Sequence, residues 1–153
     1  MKVVVLLLLV SSAIYSLPFR CDHVVTSEYG SLTGYGGERR ACGHIGIDLI
    51  PAEWDYIIFP IMAGEVTEVG VSTVYGKYVI VQHDETTRSL YAHGEIIYST
   101  AVGLVDTTTP IMRMGTTGFS DGAHLHLEIH KLVNGHWCPV DPAPFLHLDE
   151  TSY

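Results

Sequence analysis

The chain has 153 residues, which is enough for one domain with a buried core. It carries 8 Lys and Arg against 17 Asp and Glu, so its formal net charge at pH 7 is −9. Such an excess of acidic residues disfavours binding to the phosphates of nucleic acids, and equally to anionic membranes or wall polymers.

The first residues, 1–16, have the order of a secretory signal peptide. A Met-Lys start is followed by an unbroken apolar run from 3 to 10 and then by small residues. The apolar run is far shorter than the ~20 residues that span a bilayer. We therefore expect cleavage after Ala13 or Ser16, a single domain over 17–153, and a secreted protein with no membrane span after signal removal. Loss of the one lysine in 1–16 changes the formal charge from −9 to −10.

Three cysteines follow, at Cys21, Cys42 and Cys138. In an extracellular protein two of them are expected to form a disulfide and leave the third unpaired. Three pairings are possible, and we favour Cys21–Cys42, which would tie the N-terminal segment to the site described next. A rival hypothesis makes Cys42 a zinc ligand, but a fourth protein ligand would close the open position that catalysis needs.

A Gly- and Tyr-rich segment at 26–42 leads to the first candidate metal ligands, and it is either a wall of a site or a plain surface loop. His44 and Asp48 then stand in an H-x-x-x-D pattern. Gly43 and Gly46 make this stretch a poor helix interior, so we place the pair on a loop that enters a strand.

The body of the chain is predicted to be β. Short runs rich in Val, Ile, Thr and Tyr, bounded by turn-forming residues, predict strands at Glu65–Val71, Lys77–His83, Arg88–His93 and Leu125–Lys131. No stretch sustains a helical period over a dozen residues. The pattern predicts a mainly β protein, built as a small antiparallel sheet or partly open barrel-like sandwich.

An H-x-H motif on the last of these strands supplies His124 and His126. Side chains alternate in a strand, so both histidines face one side while the neighbouring leucines face the core. Together with His44 and Asp48 they could hold a divalent metal, since zinc in hydrolytic sites takes three His or Asp/Glu ligands and a water. His130 continues the same face, and we expect it to be a solvated strand end.

These motifs, with glycine landmarks between them, resemble the lysostaphin-type zinc metalloendopeptidases, also called duplicated hybrid motif peptidases, which cut peptidoglycan peptides. The similarity runs in order across roughly 26–146. It is carried by Thr-Ser-Glu-Tyr-Gly, Gly43-His44-Ile-Gly-Ile-Asp48, Ala63-Gly64-Glu-Val66, Tyr75-Gly76-Lys-Tyr-Val79-Ile-Val-Gln-His83, Ser89-Leu-Tyr-Ala-His93, Gly115-Thr-Thr-Gly118, Gly122-Ala-His124-Leu-His126-Leu-Glu128 and Val140-Asp141-Pro142.

The resemblance implies a role for each site residue. His44, Asp48 and His126 match the family's zinc ligands, so one Zn²⁺ per chain is expected, and His93 and His124 match its two catalytic histidines. The implied function is hydrolysis of a stem-peptide or cross-bridge bond of peptidoglycan, in some members a glycyl-glycine bond. Because no Glu stands beside a ligand as in H-E-x-x-H enzymes, the acid–base work falls to His93 and His124.

Two positions depart from the family pattern: Gly94 replaces a leucine and Ala123 a proline. Gly94 is expected to loosen the backbone that holds His93. The alternative function is that of a non-catalytic secreted zinc protein of the same fold, like the leukocyte cell-derived chemotaxins, although those lack the catalytic histidines. A third hypothesis makes the zinc structural. The bond cut, the source organism, the histidine that acts as general base and the oligomeric state stay open.

Overall fold

A computed structural model describes residues 15–32, 43–98 and 103–148. Within these ranges the regular structure is β-strand apart from one 3₁₀ turn, which confirms the predicted fold class. The ten strands are β1 (His23–Ser27), β2 (Ile47–Pro51), β3 (Ile57–Ile58), β4 (Gly64–Ser72), β5 (Gly76–Gln82), β6 (Thr87–Ile97), β7 (Leu104–Val105), β8 (Met112–Met114), β9 (Leu125–Val133) and β10 (His136–Val140), and a 3₁₀ turn follows at Ala143–Phe145.

The strands form one antiparallel sheet in the order β1-β2-β9-β6-β5-β4-β7. Strand β10 pairs with β9, and β8 pairs with both β3 and β6. Strands β1 and β7 stand at opposite ends of this path, so the sheet is open. The four strands with predicted bounds correspond to β4, β5, β6 and β9, with ends shifted by at most four residues. The strand that the His44 loop was expected to enter is β2, and the other strands were not predicted.

The two faces of β9 have different partners, as the alternation of its side chains predicts. Leu125, Leu127 and Ile129 are fully buried in the main hydrophobic core. His126 lies on the opposite face, and its cross-strand partners are Asp48 on β2 and Ala92 on β6. The register of the three central strands therefore brings the H-x-x-x-D and H-x-H motifs together.

Strand β6 is irregular at His93. Lys77 of β5 pairs with Gly94, whereas Val79 pairs with Tyr91, so two residues of β6 oppose one residue of β5. Such a bulge bends a strand and redirects a side chain. His93 also has a φ of 63°, in the left-handed region. Regular alternation would send residue 93 to the core face with Tyr91, and the bulge turns it to the other face instead.

The segment before β1 packs on the domain. The Ser16 amide donates to the Ile61 carbonyl at 2.6 Å, and the ring of Tyr15 meets that of Phe145 edge-on at 5.0 Å. The predicted signal peptide lies outside the described residues up to position 14, and so does Cys42 with any disulfide it makes. Cys21 and Cys138 are not joined to each other. In the parts of the chain that the structure describes, no helix is long and apolar enough to cross a membrane.

Candidate metal centre and active site

Three side chains, those of His44, Asp48 and His126, converge where the start of β2 pairs with β9. His44 Nε2 lies 3.0 Å from His126 Nδ1 and 3.1 Å from Asp48 Oδ1, and His126 Nδ1 lies 2.8 Å from Asp48 Oδ1. Zinc bonds of about 2.0–2.1 Å in a tetrahedron hold neighbouring ligand atoms about 3.3 Å apart. The trio therefore has the donor types and nearly the spacing of a zinc site, and the structure brings together the three residues proposed from the sequence.

The ring of His44 is oriented by β1 and the loop after it. Its Nδ1 lies 3.0 Å from the Glu28 carbonyl oxygen and 3.3 Å from Ser27 Oγ. A carbonyl accepts only, so Nδ1 carries the proton and donates it there. Nε2 is then the nitrogen with a lone pair, and it points to Asp48 and His126, as a metal-ligating histidine with an oriented ring does.

The ring of His126 turns the other type of nitrogen, Nδ1, toward the cluster. Its Nε2 donates to the Glu128 carboxylate at 3.0 Å, which leaves Nδ1 facing Asp48 and His44. Tyr75 lies roughly parallel to the same ring and donates its hydroxyl to Glu128 at 2.8 Å. His126 thus presents Nδ1 and His44 presents Nε2, because each has its other nitrogen bonded to a protein oxygen.

The charges of the trio are strongly coupled. Burial alone would raise the pKa of Asp48, but its close contacts with the rings of His126 and His44 outweigh burial and hold that pKa well below its ordinary value. Burial would lower the pKa of His126, whereas its hydrogen bonds to Asp48 and Glu128 raise it to about 9. For Glu128, burial would raise the pKa, and the hydrogen bonds from His126 and His130 lower it to about 2. The two carboxylates therefore stay ionised and make this a strongly cation-attracting site.

His93 faces the same groove from β6. Its Nδ1 donates to the Thr117 carbonyl at 2.8 Å, and its backbone amide donates to the Tyr75 carbonyl at 2.8 Å. Burial lowers the pKa of His93 to about 4. The imidazole is therefore neutral near pH 7, with its lone pair on Nε2, which suits a proton acceptor.

His124 lies just before β9 and completes the groove. It makes an isolated bridge to Gly115, and its Nδ1 donates to the Gly122 carbonyl at 2.8 Å. Its Nε2 is 3.7 Å from Asp48 Oδ1, and its ring centre is 4.7 Å from that of His93. His124 is thus near the trio without belonging to its cluster of ligand atoms.

The groove over these residues has a volume of about 460 Å³. Apolar side chains form part of its lining: Ile45 and Ile50 come from the segment 45–50 leading into and along β2, and Val74 and Phe119 from the loops before β5 and after β8. Phe119 is 79% exposed at the rim. An open groove of this kind accepts an extended chain, and its walls offer van der Waals contact on either side of the five polar residues.

Residues 43–142, about two thirds of the chain, match Peptidase family M23. The chain belongs to peptidase family M23. The match includes all five proposed site residues, and the predicted lysostaphin-type resemblance is confirmed at the level of the family.

Three M23-like proteins illustrate the similarity. The DD-carboxypeptidase/endopeptidase Mpg of Neisseria meningitidis serogroup B is 35% identical over 102 residues, which are 65% of this chain and 22% of that protein. The catalytic domain of the prophage-encoded M23 protein EnpA from Enterococcus faecalis has a TM-score of 0.67 at 26% identity, covering 84% of this chain and 95% of that one. The catalytic domain of lysostaphin, an antimicrobial peptidase from Staphylococcus simulans, has a TM-score of 0.63 at 23% identity, with coverages of 83% and 92%. The chain spans under a quarter of the curated relative.

The groove and its surroundings contain residues for which the sequence predicted no role in the site. Glu128 was not assigned a role, although it faces the same side of β9 as His126. The expectation for His130 was wrong: it is 8% exposed rather than solvated, because β10 pairs with β9 beside it. Thr117 holds His93 through its backbone carbonyl, and a residue's side-chain type does not predict such a role.

Proposed function

We propose that this chain is a secreted zinc metalloendopeptidase that hydrolyses peptide bonds of bacterial peptidoglycan. The observation that carries the proposal is the division of five groove residues into two sets. Ligand-type atoms of His44, Asp48 and His126 lie 2.8–3.1 Å apart, whereas His93 and His124 face the same groove outside that cluster. A structural zinc site would favour four protein ligands and would not need two further histidines.

The ligand set fits zinc on chemical grounds. Two imidazoles and one carboxylate match the ligand types of hydrolytic zinc sites. Both histidines have their second nitrogen bonded to an oxygen, by Glu28 and Glu128 respectively, which is the arrangement that orients metal-ligating imidazoles. When bound, Zn²⁺ supplies Lewis acidity toward a substrate carbonyl and lowers the pKa of a bound water to about 7.

The two remaining histidines divide the proton chemistry. His93 is neutral near pH 7 and has its Nδ1 proton committed to Thr117, so its Nε2 accepts a proton from the attacking water. His124 has its Nδ1 proton committed to Gly122, and its Nε2 lies toward Asp48. In the protonated form that nitrogen donates to the oxyanion of the tetrahedral intermediate, and the proton that His93 accepted from water passes to the leaving amine as the C–N bond breaks.

The names of two relatives support the proposed substrate class. Mpg bears the name of a DD-carboxypeptidase/endopeptidase, and lysostaphin is described as an antimicrobial peptidase. We propose peptide bonds in wall peptides, either stem peptides or cross-bridges, as the target. The open groove suits an extended peptide, and the neutral to acidic lining gives no reason to prefer a substrate of high negative charge.

The test is cleavage of defined muropeptides and of pentaglycine by purified protein, with products identified by mass spectrometry. We expect fragments that disappear with a chelator and return when zinc is added back. The matched control is the variant Asp48→Asn, which keeps the shape of the side chain but weakens a ligand. If neither substrate is cut at any zinc concentration while zinc is bound, the chain is a non-catalytic zinc protein of this fold.

A further inference from the structure

A hydrogen-bonded series of side chains leads along β9 away from the groove, from the buried His126 to the half-buried Arg88. Arg88 Nε lies 3.0 Å from His130 Nδ1, and His130 Nε2 lies 2.5 Å from Glu128 Oε2. Glu128 Oε1 in turn lies 3.0 Å from His126 Nε2. Four side chains on β6 and β9 are thereby joined by three hydrogen bonds that end on a proposed metal ligand.

The direction of these hydrogen bonds is fixed at the Arg88 end. A guanidinium has N–H donors and no acceptor, so His130 Nδ1 must accept. With Nδ1 holding a lone pair, the ring proton of His130 sits on Nε2, and His130 donates it to Glu128. No other arrangement of protons satisfies both contacts.

Glu128 accepts hydrogen bonds from three side chains and donates none of those hydrogen bonds. Its carboxylate accepts from Tyr75, His130 and His126, and its side chain is 1% exposed. A buried carboxylate without such partners would be strongly destabilising. Because Glu128 only accepts, Nε2 of His126 keeps its proton, and Nδ1 is the nitrogen that can release its proton and bind the ion beside Asp48.

The Arg88 end of this hydrogen-bonded series is held in place by β10. The guanidinium of Arg88 lies 4.6 Å from the centre of the Trp137 ring, a cation–π contact. Trp137 pairs with Leu132 of β9, which is two residues after His130. The donor that sets the direction is thus anchored by a strand that makes no contact with the groove.

We propose that Arg88, His130 and Glu128 are positioning residues that fix the ring tautomer and orientation of His126, so that Nδ1 faces the metal. This inference rests on the proposed function in one respect, namely that a metal binds at His126. Outer partners of metal-bound histidines are worth about 10- to 100-fold in metal affinity, so loss of the array should weaken binding.

The test compares Glu128→Gln and Arg88→Met with Arg113→Met, a change at an arginine on β8 whose side chain is 46% exposed. Zinc dissociation constants are measured by chelator competition, and the ring-nitrogen chemical shifts of His126 and His130 by ¹⁵N NMR.

We expect wild-type His130 to carry its proton on Nε2, and ¹¹³Cd-loaded protein to show coupling to Nδ1 of His126. Glu128→Gln should raise the zinc dissociation constant by about tenfold or more. Arg88→Met should raise it less and give a mixture of His130 tautomers.

Melting temperatures of all three variants show whether each still folds. The proposal is overturned if Arg88→Met leaves both the His130 tautomer and the dissociation constant equal to those of Arg113→Met, or if coupling is to Nε2 of His126. Failure of the proposed function looks different. A protein that binds zinc with the expected tautomers but cuts no peptide loses the enzymatic proposal alone, whereas a protein that binds no zinc loses the metal centre while His130 still reports on the array.

Discussion

Gly94 of β6 lies directly against the side chain of Met112 on β8. A Cβ at position 94 would be 2.1 Å from Met112 Sδ and 2.6 Å from its Cγ, far inside contact distance. A Cβ at position 94 would therefore displace the Met112 side chain, which fills the space beside the residue that immediately follows His93. That Gly94 loosens the backbone holding His93 stays a prediction.

Restoring a side chain at this position should destabilise the domain and disturb His93. We expect Gly94→Ala to lower the free energy of unfolding by about 1–3 kcal/mol, the usual cost of overpacking a core. Gly94→Leu, which introduces the residue more usual in the family, should cost more. Urea denaturation measures both.

The control for this prediction is Gly103→Ala, because a Cβ there meets no atom of the described residues within 4 Å. It should be neutral or slightly stabilising, since alanine restricts the unfolded chain. Equal stability of Gly94→Ala and Gly103→Ala would show that the contact with Met112 is easily relieved.

The sequence predicted those parts of the site that depend on strand alternation. Spacing alone placed His124 and His126 on the face away from Leu125 and Leu127, and cross-strand register then determined that Asp48 would meet His126. The bulge at His93 arises where Gly94 of β6 pairs with Lys77 of β5, so no local pattern reveals it. The burial of His130 likewise depends on β10, a strand that was not predicted.

Replacing either catalytic candidate should remove activity and spare the metal. His93→Ala and His124→Ala are each expected to lower the rate of cleavage by about 100-fold or more, the typical contribution of acid–base catalysis. Because neither ring is in the ligand cluster, zinc content should stay at one ion per chain. Elemental analysis and initial rates on one muropeptide measure the two quantities.

The exposed His136 on β10 provides a control, since His136→Ala should change neither rate nor zinc content. Metal-free protein from His93→Ala or His124→Ala would mean that the ring is a ligand. Full activity of both variants would remove these residues from the mechanism.

His23 on β1 should make the protein less stable in acid. Neither of its ring nitrogens has a hydrogen-bond partner among the described residues, and burial lowers its pKa below the ordinary 6.5. Between that lowered pKa and about 6.5, the unfolded chain binds a proton that the folded chain does not. Stability from this group is therefore present above about pH 6.5 and is lost as the pH falls.

The variant His23→Leu removes that proton-linked loss. We expect the drop in unfolding free energy between pH 7.5 and pH 5 to be smaller in His23→Leu than in the parent, measured on the zinc-free proteins by urea denaturation. His136→Leu changes an exposed histidine and should keep the parent's pH dependence. An identical pH dependence in His23→Leu and the parent would mean that a nearby group already compensates His23.

The contacts of Tyr15 and Ser16 favour one of the two predicted cleavage sites. Cleavage after Ser16 would remove an amide that donates to Ile61 and a ring that packs on Phe145. Cleavage after Ala13 keeps both contacts. We therefore expect protein secreted from a heterologous host to begin at Ile14, as determined by intact mass and N-terminal sequencing. A sample beginning at Leu17 with the same melting temperature as one beginning at Ile14 would show that the Tyr15 and Ser16 contacts add nothing to stability.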